Sequence, residues 1–140
     1  MNTVSPGLQP ILLNMQNCRI TSPLVCYNVL QYLLDLKSEP AEKFGIIALN
    51  SKNKIVGIHI IGSGTIDKIY IEPRQVYMAA LFNSAKAIIA FHSHPSGDPT
   101  PSRDDLFLTQ RLKKAGKIMC IELLDHLITG ERNYISLREQ

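Results

Sequence analysis

His92 and His94 stand one residue apart in "FHSHPSGDPTPSRDD", residues 91–105, which gathers two of the chain's four histidines into one short stretch. Side chains at i and i+2 of a β-strand point to the same face. If the apolar run "AKAIIAFHSH" is a strand, both imidazoles aim at one spot near its end, and Pro95 stops the ladder there. Nitrogen donors so placed suit zinc, which binds nitrogen at about 2.0–2.1 Å in tetrahedral geometry. A third ligand is needed, and Asp104 and Asp105 follow a short loop. Each feature also has a plainer reading. The histidines could be a hydrogen-bonded pair at a sheet rim. Ser102 to Asp105 has the spacing of a capping box, in which Ser102 accepts from a backbone N–H and the acid favours the positive helix end. A helical wheel does not separate Asp104 from Asp105, since both fall near the edge of the face carrying Leu108, Leu112 and Ala115.

The surrounding elements must bring these groups together. In "TSPLVCYNVLQYLLDLK", Ser22 is a good N-cap and Pro23 suits the first helical position. Leu24, Tyr27, Leu30 and Leu34 then predict an amphipathic helix to about Leu36. "KFGIIAL" and "KIVGIHIIG" read as strands joined by the polar turn "NSKN", with a short strand expected around Ile66–Tyr70. Pro73 opens a helix, "PRQVYMAALFNS", with small packing residues, and "AKAIIAFHSH" is apolar enough to be a central strand. Ser102 starts the next helix, with acids in its first turn, bases in its last and Gly116 as its stop. "KIMCIELL", "HLIT" and "YISL" are expected as strands, "GERN" as a turn, and Cys120 as a small core residue. Such an order gives an α/β or α+β domain, a mixed central sheet with helices on both faces.

At 140 residues the chain is long enough for one domain with a proper core. We read residues 1–19 as an arm and residues 20–140 as the domain. A hydrophobic fraction of 45% and a charged fraction of 19% belong to a globular protein. The net charge of +3 is far from a nucleic-acid footprint, and the lysines and arginines are scattered along the sequence. Cys18, Cys26 and Cys120 form no C-x-x-C pair and read as unpaired buried thiols of a reducing compartment. The first residues lack a basic, long apolar leader, and no run is long enough to span a bilayer, so a cytoplasmic protein without membrane contact is expected.

The complete pattern is more specific than its parts. His92, Ser93, His94, Pro95, six residues, Ser102, two residues and Asp105 resemble the JAMM motif of MPN/JAB-domain metalloproteases. "HPSGDPTPSRDD" and "IELLDHLITGERNYISLRE" are similar to the RadC branch of that superfamily, and the likeness runs from "ITSP" (residues 20–23) to the C-terminus. The resemblance implies a cytidine-deaminase-like mixed sheet. It implies one Zn2+ per chain held by His92, His94 and Asp105, with a water in the fourth, open position. It also implies an upstream glutamate as general base, a place that Glu42 fills. Glu39 competes, but it precedes Pro40 in what reads as a connecting loop, while Glu42 alone would be a solvated charge at a strand start. Ser102 would donate to a developing oxyanion. The activity implied is hydrolysis of a peptide or isopeptide bond in a peptide or protein substrate.

His126, beside Asp125, could orient a ligand from behind or be a hydrogen-bonded strand histidine; His59 reads as structural. Three features depart from the RadC-like pattern. Only about 20 residues precede the domain, too few for the helix-hairpin-helix module that such proteins usually carry, so direct nucleic-acid binding is not expected. Ser93 separates the histidines where relatives often have asparagine, a non-ligand position. Glu72 and Gln75 stand where the branch more often has histidine and glutamate, which bears on specificity. A non-enzymatic, metal-stabilised scaffold for DNA recombination or repair complexes is the alternative function, and a nuclease or DNA-binding factor a weaker one. The sequence leaves open whether an edge strand pairs into a homodimer.

Overall fold

The computed structural model describes residues 18–34, 41–64 and 70–139. Helix α1 (Pro23–Leu34) begins as the sequence predicts, with Ser22 Oγ accepting from the Val25 N–H at 3.2 Å. Strands β1 (Glu42–Leu49) and β2 (Ile55–Gly64) form a hairpin, α2 (Pro73–Phe82) follows, and β3 (Ala87–Ser93) runs into the histidine pair. Helix α3 (Arg103–Met119), β4 (Glu122–Thr129), β5 (Tyr134–Ser136) and a 3-10 turn (Leu137–Glu139) complete the order. The strand expected around Ile66–Tyr70 lies outside the described residues except for Tyr70, which is not in a strand; residues 35–36 of the first helix and most of the arm lie outside them too.

The five strands form one mixed sheet in the order β2-β1-β3-β4-β5. β1 is antiparallel to β2 and β3, while β3 and β4 are parallel and joined by the α3 crossover. This is the mixed sheet with helices on both faces that the sequence implied. The period-2 alternation of the central strands explains the layering. Ile47, Leu49, Ile89 and Phe91 face α1 through Cys26, Val29, Leu30 and Leu33. Ile46, Ala48, Ile88 and Ala90 face α2 and α3 through Val76, Ala80 and Leu112. β1 and β3 are apolar on both faces because both faces are covered.

The end of α3 corrects the sequence reading. Gly116 is not its stop: the helix continues to Met119, and Cys120 closes it in the left-handed region at φ 58°. Cys120 is therefore an exposed cap and not a core residue on a strand, and "KIMC" belongs to the helix and its cap. The expected pair "KIMCIELL" and "HLIT" is a single strand, β4. The physical reason is that Gly116 is needed for close approach and not for a turn. A methyl at its Cα would lie 2.6 Å from the Ile121 carbonyl oxygen and 2.6 Å from the Tyr77 hydroxyl, which donates to Leu112 O. In an open helix Gly→Ala would stabilise by about 1 kcal/mol. Here overpacking of about 1–3 kcal/mol wins, so Gly116→Ala is expected to lower the denaturation midpoint; a raised midpoint would refute the packing account.

The cysteines also divide differently from expectation. All three are free, but Cys26 is the buried one; Cys18 is half-buried and Cys120 exposed. Burial, with the nearby Asp125 charge, pushes the Cys26 thiol up to about 12, leaving it an inert core group. No helix among the described residues is long and apolar enough to cross a membrane.

Candidate metal centre

The sheet register places the first acidic group. Phe44 of β1 pairs with His92 of β3 in an antiparallel ladder, so stepping two residues back along β1 brings Glu42 level with the residue after Ser93. Lys43 N–H donates to Ser93 Oγ at 2.9 Å, which ties the two strand ends together. Glu42 shares the parity of Phe44 and Ile46, and its carboxylate lies 3.3 Å from His92 Nε2. The competing Glu39 lies outside the described residues.

The second acidic group comes from α3. Ser102 is its N-cap, accepting from the Asp105 N–H at 3.0 Å, while Asp105 Oδ2 accepts from the Ser102 N–H at 2.9 Å. This reciprocal cap is the plain reading of "SRDD", and it also does a second job. It turns the Asp105 side chain back over the strand end, with Oδ1 3.0 Å from His92 Nδ1 and Oδ2 3.1 Å from His94 Nε2. Asp105 is buried, whereas Asp104 is exposed. The structure thus decides between two aspartates that the helical wheel left level.

His92, His94 and Asp105 present ligand atoms that all lie within 4.8 Å of one another. Proton placement shows what the cluster needs. His94 Nδ1 meets the Asp98 carbonyl at 3.0 Å, and a carbonyl only accepts, so Nδ1 carries the proton. That leaves the Nε2 lone pair of a neutral His94 facing a carboxylate oxygen, two acceptors 3.1 Å apart. Either a proton or a cation must lie between them. A proton satisfies the pair by raising the His94 pKa through its hydrogen bond to Asp105, against the lowering effect of burial. At Asp105, burial pushes the carboxyl up, but hydrogen bonds from His92, His94 and the Ser102 backbone outweigh it and hold the group well below the usual carboxylate range. Two imidazoles and a carboxylate are a borderline nitrogen-oxygen donor set that zinc accepts with one position left open. The residues present therefore fit the ion.

Behind the cluster lies a relay that the sequence reading only half saw. Thr109 Oγ1 donates to the Asp105 carbonyl at 2.8 Å, so its oxygen accepts from His126 Nδ1 at 2.6 Å. His126 stacks against His92 with centroids 6.4 Å apart, and Phe44 packs edge-on to both rings. His126 is thus behind the candidate ligands, bonded through Thr109 to the helix carrying Asp105. Thr109 went unnoticed. Its signal was its place one turn after Asp105, where a threonine hydroxyl reaches the i−4 carbonyl. Burial, with the nearby His92 ring, pushes His126 down to about 3. A base whose folded pKa lies below its unfolded value of about 6.5 binds its proton mainly when unfolded, so it removes stability as pH falls from about 6.5 toward 3. Between pH 7 and 5 this amounts to about 2 kcal/mol. Denaturant titrations of metal-free protein should show a pH slope over that range that is smaller by this amount in His126→Leu.

The remaining sequence candidates sit elsewhere. His59 is buried on β2 and hydrogen-bonds with Asn83, in keeping with a structural role. Glu72 and Gln75 serve the start of α2: Gln75 Oε1 accepts from the Glu72 N–H at 2.8 Å, and Arg74 pairs with the Glu72 carboxylate. Beside His94 a polar cleft of about 230 Å3 opens between the Pro95–Gly97 turn and Thr129 at the end of β4 with Gly130 and Glu131 that follow it.

A layered domain that gathers two histidines and an aspartate at the carboxyl end of a central strand, with a glutamate at their edge, is a JAB-like domain with a candidate metal site. The chain belongs to the RadC-like JAB domain family, which matches residues 20–140. It is 43% identical over 125 residues to a UPF0758 protein of Caldanaerobacter subterraneus subsp. tengcongensis, covering 89% of this chain and 53% of that one. It is 46% identical over 99 residues to a UPF0758 protein of Symbiobacterium thermophilum, covering 71% and 42% of the two chains. A UPF0758 protein of Clostridium botulinum is 41% identical over 122 residues, 87% of this chain and 53% of the relative. The chain therefore spans about half the length of the curated relatives it matches.

Proposed function

We propose that this domain is a zinc-dependent hydrolase that cleaves a peptide or isopeptide bond, with Glu42 as general base. The observation that carries the reading is the Glu42 carboxylate 3.3 Å from His92 Nε2, at the edge of a three-donor cluster assembled from β3 and α3. Zinc held by His92, His94 and Asp105 would supply Lewis acidity, lowering the pKa of a coordinated water and polarising a carbonyl. Glu42, half-buried and anchored by its strand, accepts the proton of the attacking water and returns it to the leaving amine nitrogen as the C–N bond breaks. Ser102 is exposed, and its oxygen accepts from the helix while its O–H remains available to donate to the carbonyl oxygen as negative charge builds there. His94 is held by the Asp98 carbonyl in the tautomer that presents Nε2, and Thr109 fixes the turn that carries Asp105. The polar cleft beside His94 supports approach of an extended peptide backbone.

The test is peptidase activity against a library of peptides and isopeptides before and after metal removal. Chelation is expected to lower the rate by about 10²-fold or more, and stoichiometric zinc to restore it. A library cleaved equally well by the chelated protein would overturn the proposal. Full zinc occupancy with no cleavage of any substrate would instead favour a metal-stabilised scaffold. No step of this reading requires contact with DNA.

A further inference from the structure

At the opposite end of the crossover unit lies a second cleft, of about 670 Å3, that the hydrolase reading does not use. Its charged lining is Lys86, which precedes β3, Lys113, Lys114 and Lys117 on α3, and Glu122 at the start of β4. The candidate metal centre sits at the start of α3 and this cleft at its end. Along the helix Lys113–Lys117 lie beyond Asp105 by about 12–18 Å, at roughly 1.5 Å per residue.

Among the described residues, four lysines and one carboxylate line the cleft, a net +3 and so a positive excess as large as that of the whole chain. Along the sequence these lysines are spread over 32 positions and read as ordinary surface charge; folding brings them to one cavity. Among the described residues none of the four ammonium groups forms an ion pair. Cations near a helix C-terminus favour the macrodipole, which accounts for Lys117. It does not account for Lys86, which comes from a different element, nor for the cavity.

We propose that this cleft binds a compact anion carrying two or more adjacent phosphates. Three features select that class. The volume lies within the range of about 300–1,000 Å3 usual for small-ligand pockets, and a concave site of that size suits a small ligand better than the rod of a duplex. The cations are all lysines, point charges on flexible stems that can converge on clustered phosphate oxygens without the fixed fork of arginine. No aromatic side chain lines the cleft to stack a base, so recognition falls on the phosphates. Such phosphates could come from a free polyphosphate or nucleotide, or from the backbone of a single strand.

The experiment is calorimetric titration of the folded chain with inorganic tripolyphosphate at physiological ionic strength, with ATP, a short single-stranded oligonucleotide and an acidic peptide as further arms. Saturable one-to-one binding of tripolyphosphate is expected. It should weaken by about tenfold or more in Lys113→Glu/Lys117→Glu. Lys86→Ala should weaken it as well, because a charged helix face alone would not need that residue. The matched double Lys52→Glu/Arg111→Glu, with Arg111 on the same helix but outside the lining, should bind within about twofold of wild type. Asp105→Asn, disabled at the metal centre, should bind like wild type, which excludes chelation there and separates this test from that of the hydrolase. Competition between the oligonucleotide and tripolyphosphate assigns the phosphates to a nucleic-acid strand, and competition by ATP alone to a free nucleotide. The proposal is overturned by absence of saturable tripolyphosphate binding, by equal loss in the control double, or by an acidic peptide that needs the four lysines while tripolyphosphate does not compete.

Discussion

Glu42→Gln is expected to slow amide hydrolysis by about 10²–10⁴-fold while zinc content stays at one per chain. The substitution keeps shape and a hydrogen-bonding oxygen near His92 Nε2 but removes the basicity that the proposed hydrolysis requires. Glu42 is held at the start of β1 by pairing with Gly64 of β2, and its neighbour Lys43 donates to Ser93 Oγ of β3, so little movement should accompany the change. The two readouts must separate: lost activity with lost zinc would make Glu42 a ligand, and retained activity would place the base elsewhere. The loss should appear in kcat more than in KM, because proton transfer belongs to the transition state and not to substrate binding.

Asp105→Ala should remove two functions at once. Structural zinc sites with four ligands bind with about 10–16 kcal/mol, so loss of one ligand of this set should weaken the metal by roughly 10²-fold or more. The same side chain closes the cap of α3 by accepting from the Ser102 N–H, a contact whose loss costs about 1 kcal/mol. Metal analysis and denaturation of the metal-free protein resolve the two. Asp105→Asn keeps an oxygen for the cap but loses the charge, so it should fail to hold zinc while recovering most of the helix stability. Full zinc occupancy in either variant would remove Asp105 from the ligand set.

The site was legible in the sequence to the extent that it is local. His92 and His94 share a spot because they are two apart at the end of one strand, and Ser102 caps a helix because of its spacing to Asp105. Both facts follow from backbone periodicity within a few residues. The choice of Asp105 over Asp104 needed either the complete motif or the fold, because the two residues lie side by side near one edge of the helix and only docking against β3 buries one. Thr109 was missed because its role depends on where His126 arrives, 17 residues later on another strand.

Gly116 shows the opposite failure. The local rule for glycine near a helix end pointed to a stop, but the residue is there to let Ile121 and Tyr77 approach, a requirement visible only once those elements are packed. The same limit applied to charge. Scattered lysines in the chain are a lysine-lined cleft in the fold, since Lys86 reaches α3 only through the sheet.

By itself, then, the sequence determined most of the element types, the central strands with two covered faces, the histidine pair and the helix cap, all governed by spacing along the backbone. The tertiary structure decided which aspartate turns inward, that Glu42 meets His92 across 50 residues, and which lysines share a cavity. Those outcomes depend on strand register and helix docking, which are set by packing of both sheet faces at once and by no single stretch of chain.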